Sequence, residues 1–228
     1  MRRLTNTRRK IAAVSSLALL AVPLAACSQD ESTGTSTDQS SSSQKAPEPV
    51  AEIEALQGDT TAIALDKGFT DALTQLKLTP GVVADAKLQD GSLIFPITGG
   101  NVTVFEPGEV SPYVIGQVQH ENSGLSLTAG DTTVELTNFN VDPGVSRVYG
   151  DVAVNGKTAV TNAYLFKLDG RTLKPLETQG SDAILEGTKV EISDVAAPLL
   201  NDTFKTDAVK PGLLVGIAKI TVNTQSAS

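Results

Sequence analysis

One cysteine and one histidine are all that this 228-residue chain holds of the two residue types on which zinc sites and much nucleophilic catalysis draw. Zinc normally takes several Cys or His ligands, so no metal centre of that kind is expected. A Ser-His-Asp relay would have to be built on His120, and no Gly-x-Ser-x-Gly elbow occurs to present a serine. No Asp-x-Asx-x-Asx-Gly loop for calcium is present either. A lone cysteine cannot close a disulfide within the chain, so packing and hydrogen bonds must carry the fold. Long apolar runs are missing as well. The stretch Ile11–Ala26, interrupted by Ser15, Ser16 and Pro23, is sixteen residues long, short of the ~20 that a bilayer-crossing helix needs. Basic residues are outnumbered, 18 against 26 acidic ones.

The single cysteine stands where that apolar run stops and a serine-rich run starts. Arg2, Arg3, Arg8, Arg9 and Lys10 form a basic head, Ile11–Ala26 a short apolar core, and Ala25-Ala26 a small-residue exit. That order is the order of a secretory signal. Leu24-Ala25-Ala26-Cys27 resembles the lipobox of bacterial lipoproteins. The resemblance implies that residues 1–26 are a signal peptide removed before Cys27, whose thiol is alkylated by diacylglycerol. Each buried methylene contributes about 0.8 kcal/mol, and two acyl chains give lasting attachment where one does not. The expected address is the extracytoplasmic face of the cell membrane, lipid-anchored but not spanning. Thr7–Lys10 only loosely resembles a twin-arginine signal, which leaves the export route open. Residues 27–50 are rich in Ser, Thr, Gln, Asp and Pro and have little to bury, so they read as a disordered tether, of mean reach roughly 25 Å. Without the five basic residues of the head, 13 basic residues face 26 acidic ones, a net charge of −13. No basic stripe survives, and nucleic-acid binding is discarded.

Residues 51–224 then form one domain with a real core. Aromatic residues are scarce, at 4%, and glycine is frequent. Short β-rich runs recur at Thr60–Leu65, Val82–Leu88, Ser92–Ile97, Val114–His120, Leu125–Ala129, Thr132–Phe139, Arg147–Val154, Ala159–Leu168, Lys189–Ile192 and Leu213–Val222. Asp90-Gly91 and Asn155-Gly156 suit tight hairpin turns, and Val141–Ser146 is a turn preset by Pro143. Two stretches read as helices. Asp66–Lys77 places Phe69, Leu73 and Leu76 on one face, and Ser193–Phe204 opens on a capping serine with Val195, Leu199 and Phe204 roughly together. The expected fold is mainly β, a single antiparallel sandwich or barrel with two short helices.

Two motifs invite chemistry and fail on context. Gly150–Thr158 has one residue too many for a phosphate-binding loop and carries Asn-Gly where a hairpin tip belongs, so it reads as a turn. Ser42 and Lys45 match a Ser-x-x-Lys spacing but sit in the tether, with no helix to hold them in register. Taken alone, His120 reads as a strand-end residue with a satisfied ring.

The pieces "FPITGG" (95–100), "GQVQHENSGLSL" (116–127), "VELTNFNVDP" (134–143), "VAAPLLNDTF" (195–204) and "KPGLLVGIA" (210–218) together resemble uncharacterised secreted β-rich bacterial proteins. More distantly, the order is similar to the Htaa domain, a cell-surface module of Gram-positive haem uptake, over roughly residues 60–222. That resemblance implies a haem site with a tyrosine iron ligand supported by a histidine. His120 matches the family's His-x-Gly-x-Leu segment with an insertion before Gly124-Leu125. The tyrosine should come from the helical segment near the domain start, but Asp66–Leu76 has none. Tyr113, Tyr149 and Tyr164 lie elsewhere, and on one regular strand Tyr113 and His120, seven apart, would face opposite sides. The reading is therefore a lipid-anchored surface protein, not an enzyme, whose β-rich module binds or builds. No catalytic residue and no resident cofactor is expected. Cys27 is the lipidation site and His120 the candidate ligand-binding residue. Partners are the membrane through the lipid, and a small apolar ligand or a cell-wall component. The alternative is an Htaa-like carrier of haem or another apolar small molecule.

Overall fold

A computed structural model describes residues 46–56 and 58–224. Cys27, the expected signal peptide and the expected tether as far as residue 45 lie outside the described residues. The strands are β1 (Ala51–Ile53), β2 (Thr60–Leu65), β3 (Thr79–Ala84), β4 (Lys87–Gln89), β5 (Ser92–Pro96), β6 (Gly99–Val104) and β7 (Val114–Ala129). They continue with β8 (Thr132–Asp142), β9 (Arg147–Val154), β10 (Lys157–Asp169), β11 (Glu177–Gln179), β12 (Asp182–Ile192) and β13 (Leu214–Asn223). Helix α1 spans Lys67–Gln75 and α2 Ala196–Phe204. Every strand pairing is antiparallel and made within residues 51–223. These pairings and the core lie inside one compact unit of the chain, and a unit with its own core is expected to fold by itself.

The sheet runs β1-β6-β7-β8-β9-β10-β12-β13-β2-β5-β4, with β3 added to β7 and β11 to β12. Strands β5 and β6 sit toward opposite ends of this path, yet only Ile97 and Thr98 separate them in the chain. Two residues cannot span a flat sheet, so the path curls back on itself into a half-barrel. At the seam Thr98 donates its backbone N–H to Gln119 O at 2.8 Å and its hydroxyl to the same oxygen at 3.1 Å.

A row of bulges bends the sheet. Extra residues appear in β7 between His120 and Gly124, in β8 between Thr137 and Asn140, and in β10 between Val160 and Ala163. Asn122, Asn138 and Asn162 occupy these positions with φ of 51°, 53° and 52°. Asparagine tolerates the left-handed region better than most residues. Their polar groups link the row. Asn122 Nδ2 donates to Asp85 at 2.8 Å, Asn122 N to Asn138 Oδ1 at 3.0 Å, Asn138 Nδ2 to Asp151 at 2.9 Å and Asn162 N to Asp151 at 3.0 Å. The bulge in β7 also switches which residues face inward: Val118 and His120 precede it, Leu125 and Leu127 follow it, and all four are buried.

The interior has two parts. The larger cluster joins β-strand residues such as Val134, Leu136, Val152 and Leu165 to Phe69 and Leu73 of α1 and Leu200 of α2. The smaller joins Leu56, Ile97, Val102, Val104, Val114, Val118, Leu185 and Val222. Asp66 caps α1 by accepting from Gly68 N at 2.7 Å. Buried Ser193 accepts from Ala196 N at 2.8 Å and donates to Tyr164 O at 2.7 Å, which fixes α2 to β10. Val195 departs from the expected helix face and is exposed, because Ala196, Ala197 and Leu200 face the core instead.

Most expected strands form, with instructive differences. Val114–His120 and Leu125–Ala129 are the two halves of one bulged strand. Val82–Leu88 breaks into β3 and β4 at Ala84, which takes φ 51° where Asp85 N bonds Asn122 O. Strands β1, β6 and β11 were not expected. Both hairpin dipeptides turn as anticipated, with Asp90-Gly91 at φ 50° and 74° and Asn155-Gly156 at 51° and 74°. Gly150–Thr158 is the β9–β10 hairpin.

Candidate functional site

The concave face of the curled sheet encloses a cavity of about 1090 Å³. Its walls are apolar: Ile63, Leu93, Val118, Val141, Leu185, Val190 and Val222 contribute from strands all around the sheet. An aromatic group forms part of the wall. Phe95 stands edge-on to Phe139, centroids 5.3 Å apart at 87°, and Phe139 lies 6.0 Å from Phe166. Exposed lining residues, Val50, Glu52 and Pro107–Glu109 among them, mark the opening. Part of the larger cluster, Ile63, Leu93, Phe95 and Val190 included, lines this cavity as well, whereas the part beneath α1 and α2 is close-packed. The other notable space, between the helices and the sheet, is only about 20 Å³.

His120 lies in this wall, 1% exposed. It stands directly opposite Phe139 in the β7–β8 pair, and its ring centroid is 6.1 Å from that of Phe95. Nδ1 is 2.8 Å from Pro96 O at the β5–β6 seam. A carbonyl can only accept, so Nδ1 carries the proton and Nε2 is left with a bare lone pair. Nε2 is buried and has no partner among the protein's atoms. Burial, opposed by the Pro96 bond, lowers the pKa from 6.5 to about 4, so the ring is neutral at physiological pH. This corrects the expectation of a strand-end histidine with a satisfied ring: the bulge makes β7 continuous through position 120, and only one ring nitrogen is served.

Thr61 is the second polar intrusion. It faces inward from β2 between Ile63 and the β5 partner Phe95, is 4% exposed, and its Oγ1 has no partner. A buried polar atom left unpaired costs about 1–3 kcal/mol. Two such atoms in one apolar wall therefore stand out. Thr61 was missed from sequence, although a signal existed. In Thr60–Leu65 the inward set alternates as Thr61, Ile63, Leu65, and a hydroxyl on an otherwise apolar face is the anomaly to look for.

Tyr113 and His120 do line the same cavity, contrary to the alternation argument. Tyr113 precedes the first residue of β7, so strand parity does not govern it. Its hydroxyl lies 3.3 Å from both Leu173 O and Lys174 O, tying the β10–β11 connection to the opening. Burial raises its pKa, keeping it a phenol. Nearby, Arg171 clamps buried Asp169 through two bonds of 2.9 and 2.8 Å and holds that carboxyl well below the usual range. Tyr149 and Tyr164 sit outside the cavity lining, with the Arg147 guanidinium 4.6 Å from the Tyr164 ring centre.

These positions test the haem site that the Htaa resemblance implies. Helix α1 supplies no tyrosine and packs its Phe69 and Leu73 into the close-packed part of the larger cluster. The tyrosine that reaches the cavity has its hydroxyl engaged by backbone carbonyls. A tyrosine–histidine iron site therefore does not fit the residues present. Among the described residues no group of three or more His, Cys, Asp and Glu side chains is placed to hold a metal ion.

No family model and no curated protein matches the chain. Solved structures do. The C-terminal domain of HtaA from Corynebacterium glutamicum superposes with a TM-score of 0.50 at 11% identity, covering 75% of this chain and 98% of that domain. The haem-binding protein HtaB from Corynebacterium glutamicum gives a TM-score of 0.44 at 8% identity, over 76% of this chain and 96% of that one. The likeness to the HtaA domain is one of fold: the same kind of β-rich module, met from the opposite direction by the sequence pieces quoted above.

Proposed function

We propose that this chain is a non-catalytic carrier of an apolar small molecule, displayed outside the cell on a lipid attached to Cys27. One observation carries the carrier reading: a cavity of about 1090 Å³ walled by apolar side chains on the concave side of the sheet. Packed interiors hold few voids larger than a water molecule, whereas small-molecule sites measure about 300–1,000 Å³. A purely structural module would fill this space. The lack of any nucleophile arrangement in the sequence supports binding without chemistry. The address is supported by the order basic head, apolar core, Leu24-Ala25-Ala26-Cys27 and serine-rich tether.

Titration of the chain from Lys45 onward with N-phenylnaphthylamine tests the carrier. Saturable fluorescence enhancement is expected, and it should be lost in Ala183→Phe, which places a ring in the cavity wall. A linear, non-saturating signal would overturn the reading. Haemin added to the same protein should give no Soret shift that depends on His120; a shift abolished by His120→Ala would restore the haem alternative. For the address, Cys27→Ala should release the protein from the membrane fraction, and mass spectrometry of the native N-terminus should find it cut and acylated. An uncut, unmodified N-terminus would remove the anchor.

A further inference from the structure

Among the described residues, three side chains bury a polar atom with no partner in the protein: Thr61 Oγ1, His120 Nε2 and Asn140 Oδ1. Thr61 and His120 both belong to the cavity wall. They flank one ring, since Thr61 is opposite Phe95 in the β2–β5 pair and His120 lies 6.1 Å from Phe95 centre to centre. Their chemistry is complementary. Nε2 only accepts, because Nδ1–H is given to Pro96 O, and the Thr61 hydroxyl both donates and accepts. No cation stands with them. The basic lysine or arginine of the lining is Arg171 alone, whose guanidinium is held by Asp169. The acids of the lining, Glu52 and Glu109, repel an anion at the opening.

Resting on the carrier reading, we propose that the cavity selects an apolar molecule bearing a neutral hydroxyl, an alcohol or phenol, whose O–H donates to His120 Nε2 while its oxygen accepts from the Thr61 hydroxyl. A single group then satisfies both buried atoms. A carboxylate has no proton for Nε2 and meets no counter-ion. An ether keeps the acceptor but leaves Nε2 unpaired, and sites built around a buried polar group reject analogues that leave it so.

Displacement of bound N-phenylnaphthylamine from the chain beginning at Lys45 separates these cases, with dodecanol, dodecyl methyl ether and dodecanoate as competitors. Dodecanol should displace the probe at a concentration about tenfold below that of the ether or the carboxylate. Thr61→Val and His120→Leu should each bring alcohol and ether within about twofold of one another, competition being normalised to each variant's own probe affinity. If His120→Leu fails to fold by circular dichroism, the isosteric Thr61→Val decides alone. Equal displacement by alcohol and ether in the unaltered chain, or a preference for the carboxylate, overturns hydroxyl selection and leaves the carrier standing. Failure of the probe to bind at all overturns the carrier and this inference with it.

Discussion

His120 carries its proton on Nδ1 for Pro96 and keeps Nε2 bare inside an apolar wall. That arrangement has a pH signature. Folded, the ring titrates near 4; unfolded, it returns to about 6.5. Between these values the unfolded chain binds more protons, so stability falls as pH drops from 6.5 to 4 and levels off below. The loss attributable to this one ring is on the order of 3 kcal/mol. Asp169 acts in a different window, since its folded pKa is depressed by Arg171 and its contribution is lost only below the ordinary carboxylate range. Urea unfolding across pH should show the His120 slope in the unaltered chain and not in His120→Leu. Parallel profiles would contradict a neutral buried imidazole.

At the scale of elements, curvature depends on bulges held by asparagine. Asn138 sits at φ 53°, accepts from Asn122 N and donates to Asp151. Asn138→Ala loses both bonds and strains the backbone, for an expected cost of about 2 kcal/mol. Asn138→Gly relieves the strain and should cost less, and denaturant midpoints measure the difference. A second anchor is Ser193, whose buried hydroxyl both caps α2 and bonds Tyr164 O. Ser193→Ala should lower stability by about 2 kcal/mol, read in the same way. Reciprocal glycines serve the seam side. Gly100 at φ 117° and Gly116 at φ 122° let β6 and β7 approach so closely that a Cβ on either would strike the other strand's backbone.

The described domain is asymmetric inside, close-packed beneath the helices and hollow where the smaller cluster meets the sheet-side residues of the larger one. Added volume should therefore be felt unequally. Val134, fully buried in the larger cluster away from the cavity lining, should cost about 1–3 kcal/mol as Val134→Phe. Ala183→Phe, directed at the cavity from β12, should change the unfolding midpoint little while blocking probe binding. Equal destabilisation by the two would argue that the hollow is not a binding space.

Much of this domain was legible in one dimension because its causes are local. Alternating apolar residues specified most strands, Asp90-Gly91 and Asn155-Gly156 specified two hairpins, and Asp66 and Ser193 announced the helix starts. The basic head, apolar core and Cys27 likewise state an expected address without any fold. What the linear order could not decide was everything set by curvature. Bulges shift the inward-facing set at Asn122 and Asn138, and Tyr113 lies just outside β7. The curl of the sheet brings Thr61 of β2 and His120 of β7 to the same wall, so all three line one cavity although pattern alone separates them. Whether a sheet closes on a packed core or a hollow depends on how far its strands bend and which side chains then converge. That is a property of contacts across the sheet, and only tertiary structure sums them.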